Sequence, residues 1–213
     1  FLYLLYPYKL RLILKAKIYH FNLYCYLWRM INCFVTRMVQ KRVLRKTVCS
    51  HRGRYIPLSS ARRIAYVVNA AEPGAAEAVN YLHKIFSKNS IEHLAVCMDL
   101  RKEPQDTEAF TSVPDILMIV RENVNWYGLP QEDTMSAIMR QPFDILIDLT
   151  CREELFTADY LLRKASASFR IGTSGRPSGI YDMTVTGDGQ DYPADRLAKD
   201  IIHYLTSIHT YAK

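Results

Sequence analysis

FDILIDLT, residues 143–150, decides the fold. Phe143, Ile145, Leu146, Ile147 and Leu149 are too continuous a run for a strand with one wet face. Such a run reads as a strand buried on both sides, which implies a parallel sheet with helices above and below it. The flanking sequence repeats this grammar. Ile64-Ala-Tyr-Val-Val68 is a second short apolar run, followed by the turn Asn69-Ala-Ala-Glu-Pro-Gly74. Pro73 suits the first turn of a helix. The helix predicted there carries Ala75, Val79, Leu82 and Phe86 on one face, and Asn89 stops it. Ile91–Met98 and Ile116–Val120 read as two more strands, and 132–140 as a helix with Met135, Ile138 and Met139 inward. After the decisive strand, Thr150-Cys-Arg-Glu153 has capping-box spacing. The helix it is expected to open bears Leu155, Ala158, Leu162 and Ala165, with Cys151 at its start. Ser168–Ile171 and Tyr181–Thr186 read as closing strands, and Pro193 precedes a terminal helix. Strands alternating with amphipathic helices predict a single Rossmann-like, three-layer α/β domain over 62–213. Its sheet should be mostly parallel, of five or six strands, and a basic N-terminal extension precedes it.

The chain has 213 residues and a formal net charge of +7, but its charge is segregated. Residues 1–71 hold 14 Lys and Arg and no Asp or Glu; the first acidic residue is Glu72. Such asymmetry points to nucleic acid, an anionic membrane surface or an acidic partner. Residues 1–37 contain six Tyr and no Gly, Ser, Asp, Glu or Gln. Lys9, Arg11, Lys15, Lys17 and Arg29 interrupt the apolar stretches, so no transmembrane span is expected. Aromatics fall on every face, which argues against a clean interfacial helix. The composition resembles the in-frame translation of an AT-rich upstream region. The segment is therefore read as a non-native, disordered or helical extension, with Met38 as the natural start. Residues 38–61 then form a basic arm, with Lys41, Arg42, Arg45, Lys46, Arg52 and Arg54 as candidates for nucleic acid or an anionic surface.

Five cysteines without a CxxC pair or a pairing pattern fit a reducing cytoplasm. No disulfide is expected, and no metal site, because no histidine or cysteine spacing is that of a ligand set. The first turn lacks the Gly-x-Gly-x-x-Gly of a dinucleotide fold, so no cofactor is expected.

Several stretches carry a resemblance. Val-Val-Asn-Ala-Ala-Glu-Pro at 67–73, Asn-Trp-Tyr-Gly at 125–128 and Phe-Asp-Ile-Leu-Ile-Asp-Leu at 143–149 are three of them. Arg-Ile-Gly at 170–172 and Tyr-Asp-Met at 181–183 are the others. Together they resemble a family of short, functionally uncharacterised bacterial Rossmann-like proteins, a domain of unknown function. The resemblance implies a fold and no activity. A narrower one covers 143–172, which is similar to the N-terminal half of heptosyltransferase-like glycosyltransferases. Those enzymes hold their nucleotide sugar mainly through a second Rossmann domain, for which this chain has no room.

In an open parallel sheet, ligands bind outside the carboxyl ends of the strands. That rule nominates Asn69, Glu72, Asp148, Thr150, Gly172, Gly175 and Arg176. The glycines and Arg176 could hold an anion. Trp126 and Tyr127 could stack on a sugar or base, or plug the sheet edge. Asp144 and Asp148 share a strand face about 13 Å apart, too far for a dyad, and Asp144 is expected to start the strand in solvent. No set of these residues completes a catalytic constellation. The expectation is a cytoplasmic, non-catalytic binding or scaffold protein, leaning away from an enzyme. One alternative is a glycosyltransferase-like half-enzyme holding a nucleotide or sugar phosphate. The other is a protein that binds nucleic acid or a membrane surface through the basic arm.

Overall fold

The computed structural model describes residues 28–47, 53–103, 110, 113–140, 142–151, 155–174, 179–186 and 192–208. The chain divides into two units, Phe1–Val43 and Leu44–Lys213. Residues 28–46 form an unbroken stretch of helix (α1), through Met38.

The second unit is built on six strands: β1 (Arg63–Asn69), β2 (Glu92–Asp99), β3 (Ile116–Val120), β4 (Phe143–Asp148), β5 (Ala167–Thr173) and β6 (Met183–Val185). Every neighbouring pair is parallel, and the order across the sheet is β3-β2-β1-β4-β5-β6. The chain therefore winds outward from β1 in one direction, then returns to β4 and winds the other way. This leaves a topological switch point between β1 and β4. Val67 sits beside Asp148 there, so β1 runs two residues past the end of β4.

Helices α2 (Ala75–Lys88) and α5 (Ala194–Ser207) cover one face; α3 (Glu132–Met139) and α4 (Phe156–Lys164) belong to the other. Alternation along each strand fills both layers. Ile64, Tyr66 and Val68 join Leu82, Phe86 and Ile201 in one cluster, while Ala65 and Val67 join Met135, Leu161 and Leu162 in the other. Each fully buried side chain of this size is worth about 1.5–3 kcal/mol. The two layers supply the driving force for a sheet that no single helix could cover.

Local chemistry sets the ends. Asn89 caps α2, its side-chain amide donating to the Ile85 carbonyl at 2.7 Å. Gly74, which precedes α2, has φ +76°, and a Cβ there would lie 2.5 Å from Asp195 Oδ1. Glycine is thus demanded twice, by the left-handed backbone and by the approach of α5. Pro73 lies one residue outside the helix, not in its first turn, and its carbonyl accepts the Ala194 N–H at 3.0 Å.

The structure corrects three expectations. The capping box at 150–153 does not open a helix: α4 starts at Phe156, after Leu155. The Thr150 hydroxyl and N–H both turn back to donate to Asp148 Oδ1, at 2.6 and 2.9 Å. Cys151 accordingly lies outside the helix. Asp144 does not begin its strand in solvent; its Oδ2 accepts the N–H groups of Arg62 and Arg63 at 2.7 and 3.0 Å and pins the start of β1. The last strand is only three residues, Met183–Val185; before it, Asp182 donates its N–H to the Arg170 carbonyl at 2.9 Å while its carboxylate accepts the Arg170 N–H at 2.8 Å.

Tyr66, fully buried in the centre of β1, packs against Phe86 and His93, and its hydroxyl has no partner among the described residues. Burial raises its pKa, with a smaller push from Cys97. Tyr66→Phe removes a desolvated hydroxyl and keeps the ring. We expect a neutral to stabilising change of up to about 1 kcal/mol, read as the urea midpoint at unchanged slope.

Candidate functional site

The carboxyl ends of β1 and β4 meet at the switch point, where folds of this strand order receive ligands. Asn69, the last residue of β1, folds the turn that follows it. Its Oδ1 accepts the Ala71 N–H at 3.1 Å and its carbonyl accepts the Glu72 N–H at 3.0 Å. This turn aims the Glu72 carboxylate across the gap. Glu72 Oε2 accepts the backbone N–H of Cys151 at 2.7 Å, and Glu72 is buried. An N–H that follows a strand at this rim is the kind of donor that holds a ligand anion in nucleotide-binding folds. Here the chain supplies the anion itself.

Asp148 ends β4 with 0% exposure. Its Oδ1 takes both Thr150 donors, and its Oδ2 accepts the hydroxyl of Tyr181. Tyr181 reaches that position by lying over Gly172 of β5: a Cβ at Gly172 would stand 2.7 Å from ring atoms Cε1 and Cζ. Asn69, Glu72, Asp148, Thr150 and Gly172 are thus drawn into one buried polar cluster around the switch point. Gly175 and Arg176 lie outside the described residues.

Cys151 Sγ donates to the Leu149 carbonyl at 3.3 Å. Cys97, in β2, is pushed up to about 12, first by burial and then by Asp99, against a smaller pull from Arg101. It stays a protonated core thiol at neutral pH.

At the end of β2 stands a pair that the sequence reading did not single out. Asp99 is buried and receives Arg101 in a fork, Nε to Oδ1 at 2.9 Å and Nη2 to Oδ2 at 2.7 Å. The Arg101 side-chain bonds hold the Asp99 carboxyl below its ordinary range, against the opposing effect of burial. The strand-ending Asp99 with Arg101 two residues on was the available signal. Arg170, buried in β5, was also missed; its Nη2 donates to the Ala165 carbonyl at 2.8 Å, and its N–H binds Asp182. His83 and His93 meet at 2.8 Å, but at the amino end of β2, away from the rim.

Trp126 and Tyr127 occupy a tight loop beyond β3. Val124 and Pro130 bridge its base, and Asn125 Oδ1 accepts the N–H groups of Tyr127 and Leu129 at 3.1 and 2.9 Å. Gly128 adopts φ +90°, and its carbonyl accepts the Thr157 hydroxyl at 2.7 Å, tying the loop to α4. The Tyr127 ring meets Phe156 edge-on at 6.0 Å, and Phe156 meets Tyr160 at 6.2 Å. Trp126 stands edge-on to Tyr127 at 5.0 Å and is 67% exposed. Tyr127 does the anchoring, and Trp126 is left to solvent.

Of the basic candidates, Lys41, Arg42, Arg45 and Lys46 lie on α1 with exposed side chains, whereas Arg52 falls outside the described residues. Arg54 is exposed, and its backbone N–H donates to the Ser168 carbonyl at 3.0 Å.

Tyr181 and Gly172 act as one device, so their variants are coupled. Tyr181→Phe deprives the buried Asp148 of a donor and is expected to cost about 1–3 kcal/mol. Gly172→Ala pushes the same ring away, at about 1–3 kcal/mol. Chemical denaturation of both and of the double variant should show a combined loss smaller than the sum. Full additivity would separate the two.

Comparison with curated proteins found no match. A family profile does match, from residue 33 to residue 208, and so takes in the later part of α1 together with all six strands. The chain belongs to the Family of unknown function (DUF6913).

Proposed function

We propose that the chain is a non-catalytic binding protein whose recognition element is the Trp126–Tyr127 loop at the carboxyl rim. One observation carries the reading: Trp126 is held out to solvent by a loop that is itself immobilised. The Asn125 turn, the Thr157 bond and the Tyr127–Phe156 contact order the loop before any ligand arrives. A rigid, exposed indole loses little entropy on binding, and such residues dominate recognition surfaces. The matching ligand presents a flat or apolar face to it, such as a base or a pyranose ring.

The acids at the switch point support the non-catalytic part. A general acid or base must reach the reacting atoms. Glu72 Oε2 and both oxygens of Asp148 are engaged by donors of their own chain and buried. A second reading, a half-enzyme that holds a nucleotide or sugar phosphate, draws on the strand order, which is that of dinucleotide-binding folds.

The test uses the Trp28→Phe chain, leaving Trp126 as its one indole, against nucleoside monophosphates, nucleoside diphosphate sugars and sugar phosphates. The reading expects a ligand that shifts Trp126 emission, is recovered unchanged, and loses about tenfold or more in affinity with Trp126→Ala. Turnover of a nucleotide sugar that Asp148→Asn abolishes would overturn it in favour of an enzyme. Nucleotide-sugar binding without turnover that Trp126→Ala leaves untouched would favour the half-enzyme.

A further inference from the structure

Helix α1 carries a surface that the sheet domain does not explain. Over 28–46 it bears six basic residues, Arg29, Arg37, Lys41, Arg42, Arg45 and Lys46, and no acidic one. At about 100° per residue the side chains sort into two faces. Thr36, Val39, Gln40, Val43 and Leu44 share one face and are partly screened from solvent. The opposite face opens with Met30, Ile31, Phe34, Val35 and Met38, whose exposure runs from 42% at Val35 to 66% at Phe34. Lys41, Arg42 and Arg45 continue the same face toward the C-terminal end, all exposed. The outer face is therefore apolar in its first half and cationic in its second.

We propose that this face docks on an anionic lipid bilayer. Met30, Ile31, Phe34, Val35 and Met38 enter the boundary between headgroups and acyl chains. Lys41, Arg42 and Arg45 bind lipid phosphates beside them. The two halves together select this occupant. A nucleic acid would satisfy the cations and leave five large apolar side chains against water. A second copy packed parallel would cover the apolar half but bring two cationic halves together, and one packed antiparallel would leave the cations without a counter-charge. Only an anionic interface removes the apolar surface from water and neutralises the charge at once. No helix among the described residues is long and apolar enough to cross a membrane. Six of the eight docking residues, Phe34, Val35 and Met38 in the apolar half and the whole cationic half, fall within the stretch shared with the family. This inference stands apart from the Trp126 reading.

The experiment uses the full chain with Trp126→Phe, which leaves Trp28 on α1 as its one indole. It is mixed with phosphatidylcholine vesicles, with or without about 30% phosphatidylserine. The expected result is co-sedimentation with the anionic vesicles, a blue shift of Trp28 emission, and binding at least about tenfold weaker to phosphatidylcholine alone. Binding should fade as salt shortens the screening length. Ile31→Ser with Phe34→Ser should weaken it about tenfold or more, and so should Lys41→Gln with Arg42→Gln and Arg45→Gln. These positions are exposed, and unchanged far-ultraviolet circular dichroism separates lost docking from lost folding. Absence of vesicle binding, or equal binding to both vesicles, would overturn the proposal. So would capture by duplex or single-stranded oligonucleotides in place of vesicles, or self-association abolished by Phe34→Ser.

Discussion

A single hydrogen bond spans the gap that this fold leaves open. Where β1 and β4 part, Glu72 reaches from the turn after one strand to the N–H after the other, and its carboxylate closes the crevice from within. The constraint behind it is simple. A buried carboxylate is costly without a donor, and the half-buried Cys151 amide supplies one. Once Glu72 is committed to that position, the Asn69–Gly74 turn must hold it there, which explains the Asn69 bonds to Ala71 and Glu72. The same logic continues through Asp148, whose oxygens organise Thr150 and Tyr181, and through Gly172, which leaves room for the tyrosine ring. A nucleotide fold places glycines and an empty helix N-terminus at this rim; this chain places its own side chains there.

The layered sheet was legible because burial on both faces writes itself into the strands. Ile64–Val68 is without charge on either face and Phe143–Leu149 sets Leu146 between the two aspartates of one face, and only a parallel sheet between helices hides both sides of such strands. Helix ends were less legible. Thr150 and Glu153 have the spacing of a capping box, yet Cys151 is not helical and the helix starts at Phe156 after an extended Leu155, which spacing alone does not reveal. Asp144 shows the same limit. Its value lies in the N–H groups of Arg62 and Arg63, some eighty residues earlier, and periodicity carries no sign of that contact.

The rim was legible as a place more than as chemistry. The rule that ligands meet parallel sheets at their carboxyl ends nominated Asn69, Glu72, Asp148 and Thr150, and the fold gathers all four. That they answer one another, instead of facing outward, depends on Cys151 and Tyr181, which are brought in by the return of the chain. Asp99 and Arg101 escaped notice because a lone acid ending a strand has no pattern until its partner is seen. Trp126 and Tyr127 looked equivalent in sequence. The Thr157 tether and the Phe156 ring divide their work, anchoring the half-buried Tyr127 and presenting Trp126.

Amide hydrogen exchange at Cys151, followed by NMR in the natural chain and in Glu72→Ala and Glu72→Gln, tests the closed crevice most directly. The account predicts that the Cys151 N–H exchanges only through global opening in the natural chain. It predicts exchange about tenfold faster or more in Glu72→Ala, beyond any loss of overall stability, with partial recovery in Glu72→Gln, which keeps an acceptor oxygen. Rapid exchange at Cys151 that is the same in all three chains would contradict it.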